Sequence, residues 1–314
     1  MNREHYIAGD WGTSRLRLAL CLGQRVLETR QGPGIGALRE PAAAALRPLI
    51  AGWRDSHGAS LPLLLCGMAG SRNGWRETPY LPCPADLHLL GEAALRFEAD
   101  GAPVAIAPGL SCTSRLGAPE VMRGEETQIA GALALHPRLG AGRHLLCLPG
   151  THTKWACLED GRVRDFLTAL TGELFALLRD GSTLLRAARP NAVGPVPTAP
   201  AAAEDAQDGF ENGLAAAAGL DSASLLHGLF AVRSRQLLDG RSHDWALSYL
   251  SGLLIGADVR GAMPLFGMRT EAMLIGDGAL NERYTQALRR EGIAVSCLDG
   301  EQCALAGLRT LWRP

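Results

Sequence analysis

The 314-residue sequence lacks the patterns that define several common protein classes. It contains no run of 18 apolar residues, so we expect no transmembrane helix and no membrane partner. The opening stretch, MNREHYIAGDWG, has no long apolar segment and therefore does not predict a signal peptide. The formal net charge is −1 and the basic residues are spread along the chain, which argues against a nucleic-acid-binding surface.

Several motifs of catalysis and metal binding are also missing. The eight cysteines form no C-x-x-C pair and most lie in apolar stretches, which favours buried, reduced thiols in a cytosolic protein over disulfides or zinc. There is no P-loop, and the GPGIG stretch at 32–36 lacks the spacing of a dinucleotide fingerprint, so we interpret it as a loop. The absence of G-x-S-x-G and H-E-x-x-H argues against the corresponding hydrolases and metalloproteases.

The composition instead favours an α/β protein, because 47% of the residues are hydrophobic and glycine is abundant. The length favours two domains. Short apolar runs predict strands at 5–10, 15–21, 25–30, 61–66, 103–107, 143–148, 155–158, 162–168, 272–276 and 293–297. Longer segments predict helices at 40–54, 87–98, 125–136, 171–186, 204–217, 221–238, 243–261, 280–291 and 301–312, with a Pro- and Ala-rich surface loop at 189–203.

Two of the predicted three-stranded meanders look like copies of each other. Gly12-Thr13 and Gly150-Thr151 are separated by 138 residues, and so are the next turn glycines, Gly23 and Gly161. The simpler explanation is that two hairpins share glycines by chance. The functional interpretation is a pair of phosphate-binding turns, because consecutive backbone N–H groups in a tight turn form a concavity for anions.

This interpretation assigns phosphate contacts to both turns. Hydroxyls add donors, and a cation offsets the charge on the transferring oxygens. The candidate residues are Gly12, Thr13, Ser14 and Arg15 in the first turn, and Gly150, Thr151, His152, Thr153 and Lys154 in the second. His152 fits a solvent-exposed turn residue equally well.

Asp10 precedes the first turn and requires a separate explanation, since an acid beside phosphate is unfavourable without a cation. We expect Asp10 to hold Mg²⁺, mainly through water molecules, because Mg²⁺ keeps much of its hydration shell. The alternative is an Asp side chain that only caps the turn.

The duplicated meanders with Gly-Thr turns resemble the actin/hexokinase/sugar-kinase superfamily of two-domain ATP-binding proteins. Another signature of that superfamily is a Gly-rich turn between a strand and a helix that contacts adenosine, and LIGDGALNERYTQAL at 274–288 is similar to it. The resemblance implies adenosine contacts for Gly276, Gly278 and Asn281. The alternative is an ordinary turn at the start of a helix.

Four stretches in chain order resemble the 2-dehydro-3-deoxygalactonokinase family: DWGTSRLR, GMAGSRNGWRETPYLPCP, RGEETQIAGAL and LPGTHTKW. The likeness extends over essentially the whole chain. It implies a two-domain actin-like ATPase (ribonuclease H-like) fold, with a duplicated mixed sheet, flanking helices and a central cleft. We expect domains at 1–138 and 139–314, with the last helix packing back on the first domain.

The family resemblance also implies an activity, the ATP-dependent phosphorylation of the 6-hydroxyl of 2-dehydro-3-deoxy-D-galactonate in galactonate catabolism. The products are 2-dehydro-3-deoxy-6-phospho-D-galactonate and ADP, and the implied cofactors are ATP and Mg²⁺. Two alternatives remain open: a related kinase for another sugar acid or ketose, and an ATP-binding sensor without catalysis. The oligomeric state is left open, with a homo-oligomer among the alternatives.

A kinase of this kind needs a base near the acceptor hydroxyl. RGEETQIAGAL supplies Glu125 and Glu126, and it is similar to the acid-bearing G-x-E-E-A segment of exopolyphosphatases in the same superfamily. This likeness implies Glu125 as the base and Glu126 as its reserve. Asp10, beside the first turn, is counted as a further catalytic acid because of its expected role with Mg²⁺. The alternative is that two acids merely stabilise the first turn of a helix.

The implied substrate carries a carboxylate, which should meet a cation or backbone donors. The GMAGSRNGWRE loop at 67–77 offers polar groups and an aromatic ring that suit a sugar acid. The candidates are Ser71, Arg72, Asn73, Trp75 and Arg123. The alternative is a hydrated loop whose arginines face water.

Overall fold

The structure is a computed structural model that describes residues 5–185, 199–221, 224–267 and 270–311, with the side chains of 199–202 excepted. Its strands are β1 (His5–Trp11), β2 (Arg15–Leu22), β3 (Arg25–Pro33), β4 (Leu63–Gly67), β5 (Tyr80–Pro82), β6 (Ala85–Asp86), β7 (Leu95–Ala99), β8 (Ala102–Ile106), β9 (Gly109–Thr113), β10 (Pro119–Met122), β11 (Arg143–Leu148), β12 (Thr153–Glu159), β13 (Arg162–Ala169), β14 (Glu271–Gly276) and β15 (Ala294–Asp299). Its helices are α1 (Ala42–His57), α2 (Leu90–Ala93), α3 (Glu125–Leu135), α4 (Thr171–Gly181), α5 (Ala199–Gly219), α6 (Leu225–Leu238), α7 (His243–Phe266), α8 (Gly278–Arg290) and α9 (Gly300–Thr310).

The chain divides into two compact units. Unit 1 comprises the described residues of Met1–Leu146, Ala156–Leu167 and Leu298–Pro314. Unit 2 comprises those of Cys147–Trp155 and Thr168–Cys297. The domain boundary at 138/139 stays a prediction.

The first predicted meander forms one end of a six-stranded sheet with the order β3-β2-β1-β4-β8-β7. β1 pairs antiparallel with β2 and parallel with β4. β4 is buried along its whole length, as its continuous apolar sequence predicts. This arrangement places the ends of β1 and β4 side by side, with Trp11 opposite Gly67.

The second predicted meander lies in another six-stranded sheet, whose order is β15-β14-β11-β12-β13-β6. Its three strands are consecutive in the sheet, as they are in the first meander. Both turn glycines take positive φ angles, 59° at Gly23 and 76° at Gly161, which explains why glycine occupies both positions.

Close helix packing in unit 1 fixes the position of α3. A Cβ atom on Gly131 of α3 would overlap the carbonyl oxygen of Cys303 in α9, and one on Gly307 of α9 would overlap the carbonyl oxygen of Thr127. Glycines on both helices therefore let the two backbones approach closely. α9 also contacts β1 and β4, so it connects α3 to the first sheet.

The core of unit 2 is largely helical. α7 is buried along most of its length and packs against α5, and its aromatic rings Trp245 and Tyr249 stack 4.9 Å apart. A helix that is apolar on nearly all sides is expected to be enclosed by other elements.

The predicted helix at 87–98 is wrong in its second half. Residues 95–99 form β7, which pairs antiparallel with β8 through an Ala99–Ala102 closing pair. The two-residue connection is Asp100-Gly101, with positive φ angles at both residues. Asp-Gly is a strong signal for this type of hairpin, and it outweighs the helical pattern that precedes it.

The predicted loop at 189–203 is also wrong in part, because α5 begins at Ala199. Its alanines have the highest helix propensity, and Pro200 lies in the first turn, where proline is tolerated. The remainder of that loop prediction, residues 189–198, lies outside the described residues. A small sheet with the order β10-β9-β5 was not predicted, because its strands are short and two of them contain proline.

No helix within the described part of the chain is both long enough and apolar enough to span a bilayer. The same residues contain no cluster of three or more His, Cys, Asp or Glu side chains arranged to hold a metal ion.

Candidate active site

The first Gly-Thr turn joins β1 to β2 and presents polar groups at the surface. The amide of Gly12 donates to the carbonyl of Arg15 at 2.9 Å, and Thr13, Ser14 and Arg15 are exposed. Among the described residues, the amides of Thr13 and Ser14 have no hydrogen-bond acceptor. Two such amides and two hydroxyls on one tight turn can bind an anion.

Asp10 lies on β1, two residues before this turn, and pairs across the sheet with Arg17. Arg17 Nη1 is 3.6 Å from Asp10 Oδ2, and the Cys66 thiol donates to Oδ1 at 3.7 Å. Burial raises the pKa of the Asp10 carboxyl, and the Arg17 charge acts in the opposite direction. Asp10 is therefore a partly buried carboxylate at the carboxyl ends of two parallel strands, where α/β proteins commonly bind ligands.

The predicted acid pair occupies the start of α3. The amide of Arg123 donates to Glu125 Oε2 at 3.0 Å, and the amide of Gly124 donates to Glu126 Oε2 at 2.7 Å. Both carboxylates thus accept bonds from the backbone that enters the helix, where the helix dipole also favours negative charge.

The two acids differ in their access to solvent. Glu126 is fully buried, and its Oε1 accepts a bond from the Thr127 hydroxyl at 2.8 Å. Burial, followed by the nearby Glu125 charge, raises the pKa of Glu126 to about 8. Glu125 is only half-buried. Both oxygens of Glu126 accept bonds within the protein, and Glu125 is the more accessible of the two acids.

Gly67 connects the acid pair to Asp10. A Cβ atom on Gly67 would lie 3.4 Å from Asp10 Oδ1, and one on Gly124 would lie 3.2 Å from the Gly67 Cα. Burial and the charges of Asp10 and Glu126 together raise the pKa of the Cys66 thiol. The structure therefore brings the three predicted catalytic acids into one region of unit 1.

The predicted substrate residues fall into two groups. Ser71, Trp75 and Arg123 stabilise their own surroundings. The Ser71 hydroxyl donates to Met68 O at 2.8 Å, and Trp75 packs edge-on against Phe97.

Arg123 is held by neighbouring residues as well. Its Nη2 donates to the Thr78 carbonyl at 2.9 Å, its Nη1 contacts the Thr78 hydroxyl, and its guanidinium lies 4.3 Å from the centre of the Tyr80 ring. In contrast, Arg72 and Asn73 are exposed. Of the five candidates, these two present the most accessible polar groups.

The second Gly-Thr turn joins β11 to β12 in unit 2. Thr151 and His152 are exposed, and His152 pairs with the side chain of Glu173. Thr153 and Lys154 are buried. The Thr153 hydroxyl bonds the Tyr284 hydroxyl at 2.8 Å. Four of the five predicted residues at this turn thus divide into an exposed pair and a buried pair.

Lys154 follows this turn as the second residue of β12. Its ammonium group donates to the Thr168 hydroxyl at 2.8 Å while the residue as a whole is only 5% exposed. A buried ammonium interacts more strongly with a nearby anion than an exposed one, because water screens it less.

The predicted adenosine turn follows β14 and opens α8. Asp277 caps the helix by accepting a bond from the Ala279 amide at 3.1 Å. Asn281 is buried and donates to the carbonyl of Gly276 at 3.3 Å. The Asn281 side chain therefore fixes the shape of the turn.

A cavity of about 440 Å³ lies beside this turn in unit 2. Gly150 of the second Gly-Thr turn, Asp277 and Ala279 all line it. Its volume is within the range of small-molecule sites. The cavity therefore adjoins both predicted nucleotide-binding segments of this unit.

Residues 10–311 match the family model described as 2-keto-3-deoxy-galactonokinase. The chain belongs to this family. It is 37% identical over 316 residues to "Probable 2-dehydro-3-deoxygalactonokinase DgoK1" of Rhizobium meliloti (strain 1021), covering 98% of each chain. It is 35% identical over 308 residues to the 2-dehydro-3-deoxygalactonokinase of Escherichia coli (strain K12), covering 98% of this chain and 97% of the relative.

Solved structures agree with this placement. A Sinorhizobium meliloti crystal structure carrying the same family designation superposes with a TM-score of 0.80 at 35% identity, covering 98% of this chain and 95% of the other. An activator of 2-hydroxyisocaproyl-CoA dehydratase from Clostridium difficile, solved with bound ADPNP, gives a TM-score of 0.50 at 12% identity. At that identity the likeness concerns the fold alone, and the predicted actin-like fold class is confirmed.

Sequence reasoning missed most of the cavity lining in this family member. The missed residues come mainly from helices α4, α7 and α8: Thr171, Gly172, Phe175, Leu247, Ser251, Leu254, Ile255, Asp277, Ala279, Leu280, Arg283 and Tyr284. They share no local motif. The one available signal was the apolar character of α7, which by itself indicates burial only.

Asp258 of α7 was also missed, and it organises the wall of this cavity. Its partly buried carboxylate accepts bonds from Trp155 Nε1 at 2.8 Å, Thr171 Oγ1 at 2.7 Å and the Tyr284 hydroxyl at 2.6 Å. Burial raises the pKa of Asp258, while the three donors lower it. One carboxylate thereby connects β12, α4 and α8 around the second turn.

Proposed function

We propose that this protein transfers the γ-phosphoryl group of ATP to the 6-hydroxyl of 2-dehydro-3-deoxy-D-galactonate. The observation that carries the proposal is the cavity in unit 2, because it adjoins both the second Gly-Thr turn and the adenosine turn. Membership of the 2-keto-3-deoxy-galactonokinase family and the names of its relatives support the choice of substrate.

The nucleotide is assigned to unit 2 by the character of the cavity. Its wall combines apolar side chains such as Phe175 and Leu254 with the backbone of Gly150. Aromatic and aliphatic walls with few polar groups suit a purine and its ribose. Each Gly-Thr turn then contributes amides and hydroxyls to the phosphates, and Lys154 offsets their charge.

Glu125 is assigned as the base that accepts the proton of the sugar hydroxyl. It is the accessible member of the acid pair, while Glu126 is fully buried and accepts bonds on both oxygens. Glu126 is instead assigned a positioning role, since it holds the Gly124 amide at the entry to α3. A base must reach within hydrogen-bonding distance of the proton that it removes.

Asp10 fits the requirements of a magnesium ligand that acts together with phosphates. Mg²⁺ in kinases is typically held by one or two carboxylates, with water and substrate oxygens completing the shell. The partly buried Asp10 carboxylate would supply one ligand of that kind. The ion, when bound, neutralises charge on the phosphate oxygens.

Arg72 and Asn73 are assigned to the sugar acid, with Ser71, Trp75 and Arg123 shaping the loop that carries them. A guanidinium can bind a carboxylate through two parallel hydrogen bonds. The exposure of Arg72 and Asn73 supports the assignment, although Arg72 also lies 3.6 Å from Glu77 in an exposed ion pair.

A coupled ADP-release assay tests the proposal directly. The purified protein with Mg²⁺ and ATP should release ADP in the presence of 2-dehydro-3-deoxy-D-galactonate and much more slowly with other sugar acids or neutral ketoses. Fast turnover on another sugar would indicate that the protein is a related kinase with a different substrate. ATP binding without turnover on any sugar would favour the sensor alternative.

The Glu125→Gln variant tests the base. We expect it to bind ATP normally and to lose about 10²–10⁴-fold in kcat, because the amide cannot accept the proton. Glu98→Gln, at an exposed position on β7, is the matched control and should retain wild-type turnover. Wild-type kcat in Glu125→Gln would remove this residue from the mechanism.

A further inference from the structure

After each meander, the chain that leaves the third strand returns to the Gly-Thr turn of that meander. In unit 1 this segment is residues 34–36, directly after β3, and we call it the first brace. In unit 2 it is residues 172–173, in the first turn of α4, and we call it the second brace. The leading glycines, Gly34 and Gly172, are 138 residues apart, the same separation as that of the turn glycines.

The first brace packs on the first turn through its backbone. A Cβ atom on Gly34 would overlap the carbonyl oxygen of Thr13. Ile35 N donates to Gly12 O at 3.0 Å, and Gly36 N donates to Thr13 O at 2.9 Å. The φ angle of Gly34 is −70°, which any residue can adopt, so glycine is required here for space and not for backbone conformation.

The second brace also contacts its turn through a glycine and a backbone amide, but the two carbonyls involved are exchanged relative to the first brace. A Cβ atom on Gly172 would overlap the carbonyl oxygen of Gly150 and would lie 2.9 Å from the Thr151 Cα. Glu173 N donates to Thr151 O at 2.9 Å, and its side chain pairs with His152. The contact is therefore again made by a glycine and by the amide that follows it.

These bonds determine which way the turn amides point. A trans peptide unit carries its C=O and the following N–H on opposite edges. Holding the carbonyls of Gly12 and Thr13 against the first brace directs the amides of Thr13 and Ser14 away from it. Holding the carbonyl of Thr151 directs the amide of His152 away from the second brace. In the described part of the chain, none of these three amides has a protein acceptor.

We propose that Gly34 and Gly172 are positioning residues that orient the amides of the two Gly-Thr turns toward the phosphates of ATP. The brace amides donate to turn carbonyls, so the turn amides on the opposite edges of the same peptide units can donate to the anion. The proposal rests on the assignment of the turns to phosphate binding, and it adds to the repeat a third pair of equivalent glycines. GPGIG at 32–36 thereby acquires a role beyond that of a loop.

The test compares ATP with adenosine, which lacks the phosphates. In Gly34→Ala the methyl group must displace the first turn, so we expect kcat on the sugar acid to fall about 10- to 100-fold and the affinity for Mg²⁺-ATP to fall. The affinity for adenosine, measured by ligand-observed NMR, should be unchanged, because the cavity of about 440 Å³ lies in unit 2. Gly172→Ala should lower kcat in the same way.

A second pair of variants keeps the test decisive if Gly34→Ala does not fold. Ile35→Pro removes the N–H that donates to Gly12, at the first position of a short helix where proline is tolerated. Ile35→Val also reduces the side chain but keeps the N–H. We expect Ile35→Pro to lose turnover and Ile35→Val to retain most of it. Equal losses in the two would contradict the proposal.

Control glycines separate this role from a general sensitivity to added methyl groups. Gly52 of α1 and Gly261 of α7 have room for a Cβ atom, so Gly52→Ala and Gly261→Ala should behave as the wild type. Wild-type kcat in Gly34→Ala, or a parallel loss of ATP and adenosine binding, would overturn the proposal.

The wild-type protein tests the phosphate and substrate assignments independently of the variants. If it binds ATP no more tightly than adenosine, the phosphate assignment itself fails. If it binds ATP more tightly than adenosine but does not phosphorylate the sugar acid, the substrate assignment fails. The ratio of the ATP affinity to the adenosine affinity in Gly34→Ala then still tests the role of the first brace.

Discussion

The two Gly-Thr turns share a backbone plan and differ in the chemistry around it. The first turn follows the partly buried acid Asp10 and ends in the exposed base Arg15. The second follows the buried apolar Leu148 and leads into the buried base Lys154. In the proposed function both backbones donate amides to an anion, and the different flanking residues determine what else each turn contributes.

The supports of the two turns differ as well. Unit 1 surrounds its turn with acids, since Asp10 and the Glu125–Glu126 pair approach one another around Gly67. Unit 2 surrounds its turn with hydroxyls and a cavity. The hydroxyls of Thr171 and Tyr284 donate to Asp258, and the Thr153 hydroxyl bonds that of Tyr284. This contrast supports the proposal that unit 1 carries the metal and proton chemistry and that unit 2 binds the nucleotide.

Between the two turns, the largest expected effect comes from removing the charge of Asp10, which distinguishes the first turn. Asp10→Asn should lower kcat about 10²-fold, because the amide is a weaker ligand for Mg²⁺ and leaves the Arg17 charge uncompensated. Steady-state kinetics across a Mg²⁺ titration measure this loss. Asp55→Asn, at an exposed position of α1, is the control. An unchanged magnesium requirement in Asp10→Asn would make Asp10 a turn cap only.

The bases that follow the turns should differ in importance. Lys154→Ala should lower kcat/KM about tenfold or more, since a buried ammonium is poorly screened by water. Arg15→Ala should cost about threefold, because Arg15 is exposed and its charge is screened. Kinetics with ATP as the varied substrate measure both. A larger loss in Arg15→Ala would reverse the comparison.

A smaller effect is expected from Tyr284→Phe in the support of the second turn. The change removes a hydroxyl that bonds both Thr153 and Asp258, and we expect the free energy of unfolding to fall by about 1–2 kcal/mol. Urea denaturation monitored by circular dichroism measures it. Tyr80→Phe, at an exposed ring, is the control. Unaltered stability in Tyr284→Phe would indicate that water replaces the hydroxyl.

The last expected effect is a change in how the free energy of unfolding depends on pH. The pKa of Glu126 rises from its usual 4.5 to about 8 in the folded protein, so between these values the folded state binds more protons than the unfolded state. Glu126 therefore lowers stability as pH rises from about 4.5 to about 8 and has a constant effect above that range. Glu126→Gln should weaken this decline, while Glu40→Gln, at an exposed position, should not.

Thermal melts of the three proteins across this pH range test the prediction. Asp10 and Asp258 also have pKa values raised by burial, so part of the decline should persist in Glu126→Gln. Identical pH profiles for the wild type and Glu126→Gln would show that Glu126 is not buried as a titrating acid.

Sequence patterns predicted the two meanders well because their determinants are local. Gly23 and Gly161 adopt the positive φ angles that tight turns of this kind require. The apolar run of β4 correctly predicts a fully buried strand. The same local reasoning failed at 95–99, where the signal for a strand was the Asp100-Gly101 turn beyond it. The assignment of Glu125 over Glu126 was favoured by family likeness, and the structure supplies a physical reason in the burial of Glu126.

By itself, the sequence determined the repeated turns, the α/β class and the family, because turn residues, apolar periodicity and ordered motifs are properties of short stretches. Only the tertiary structure decided the cavity beside the adenosine turn, the burial of Glu126 and Lys154, and the contact of Gly34 and Gly172 with their turns. Each of these depends on backbone or side chains that are distant in sequence, and their distances are fixed only when the helices and sheets pack.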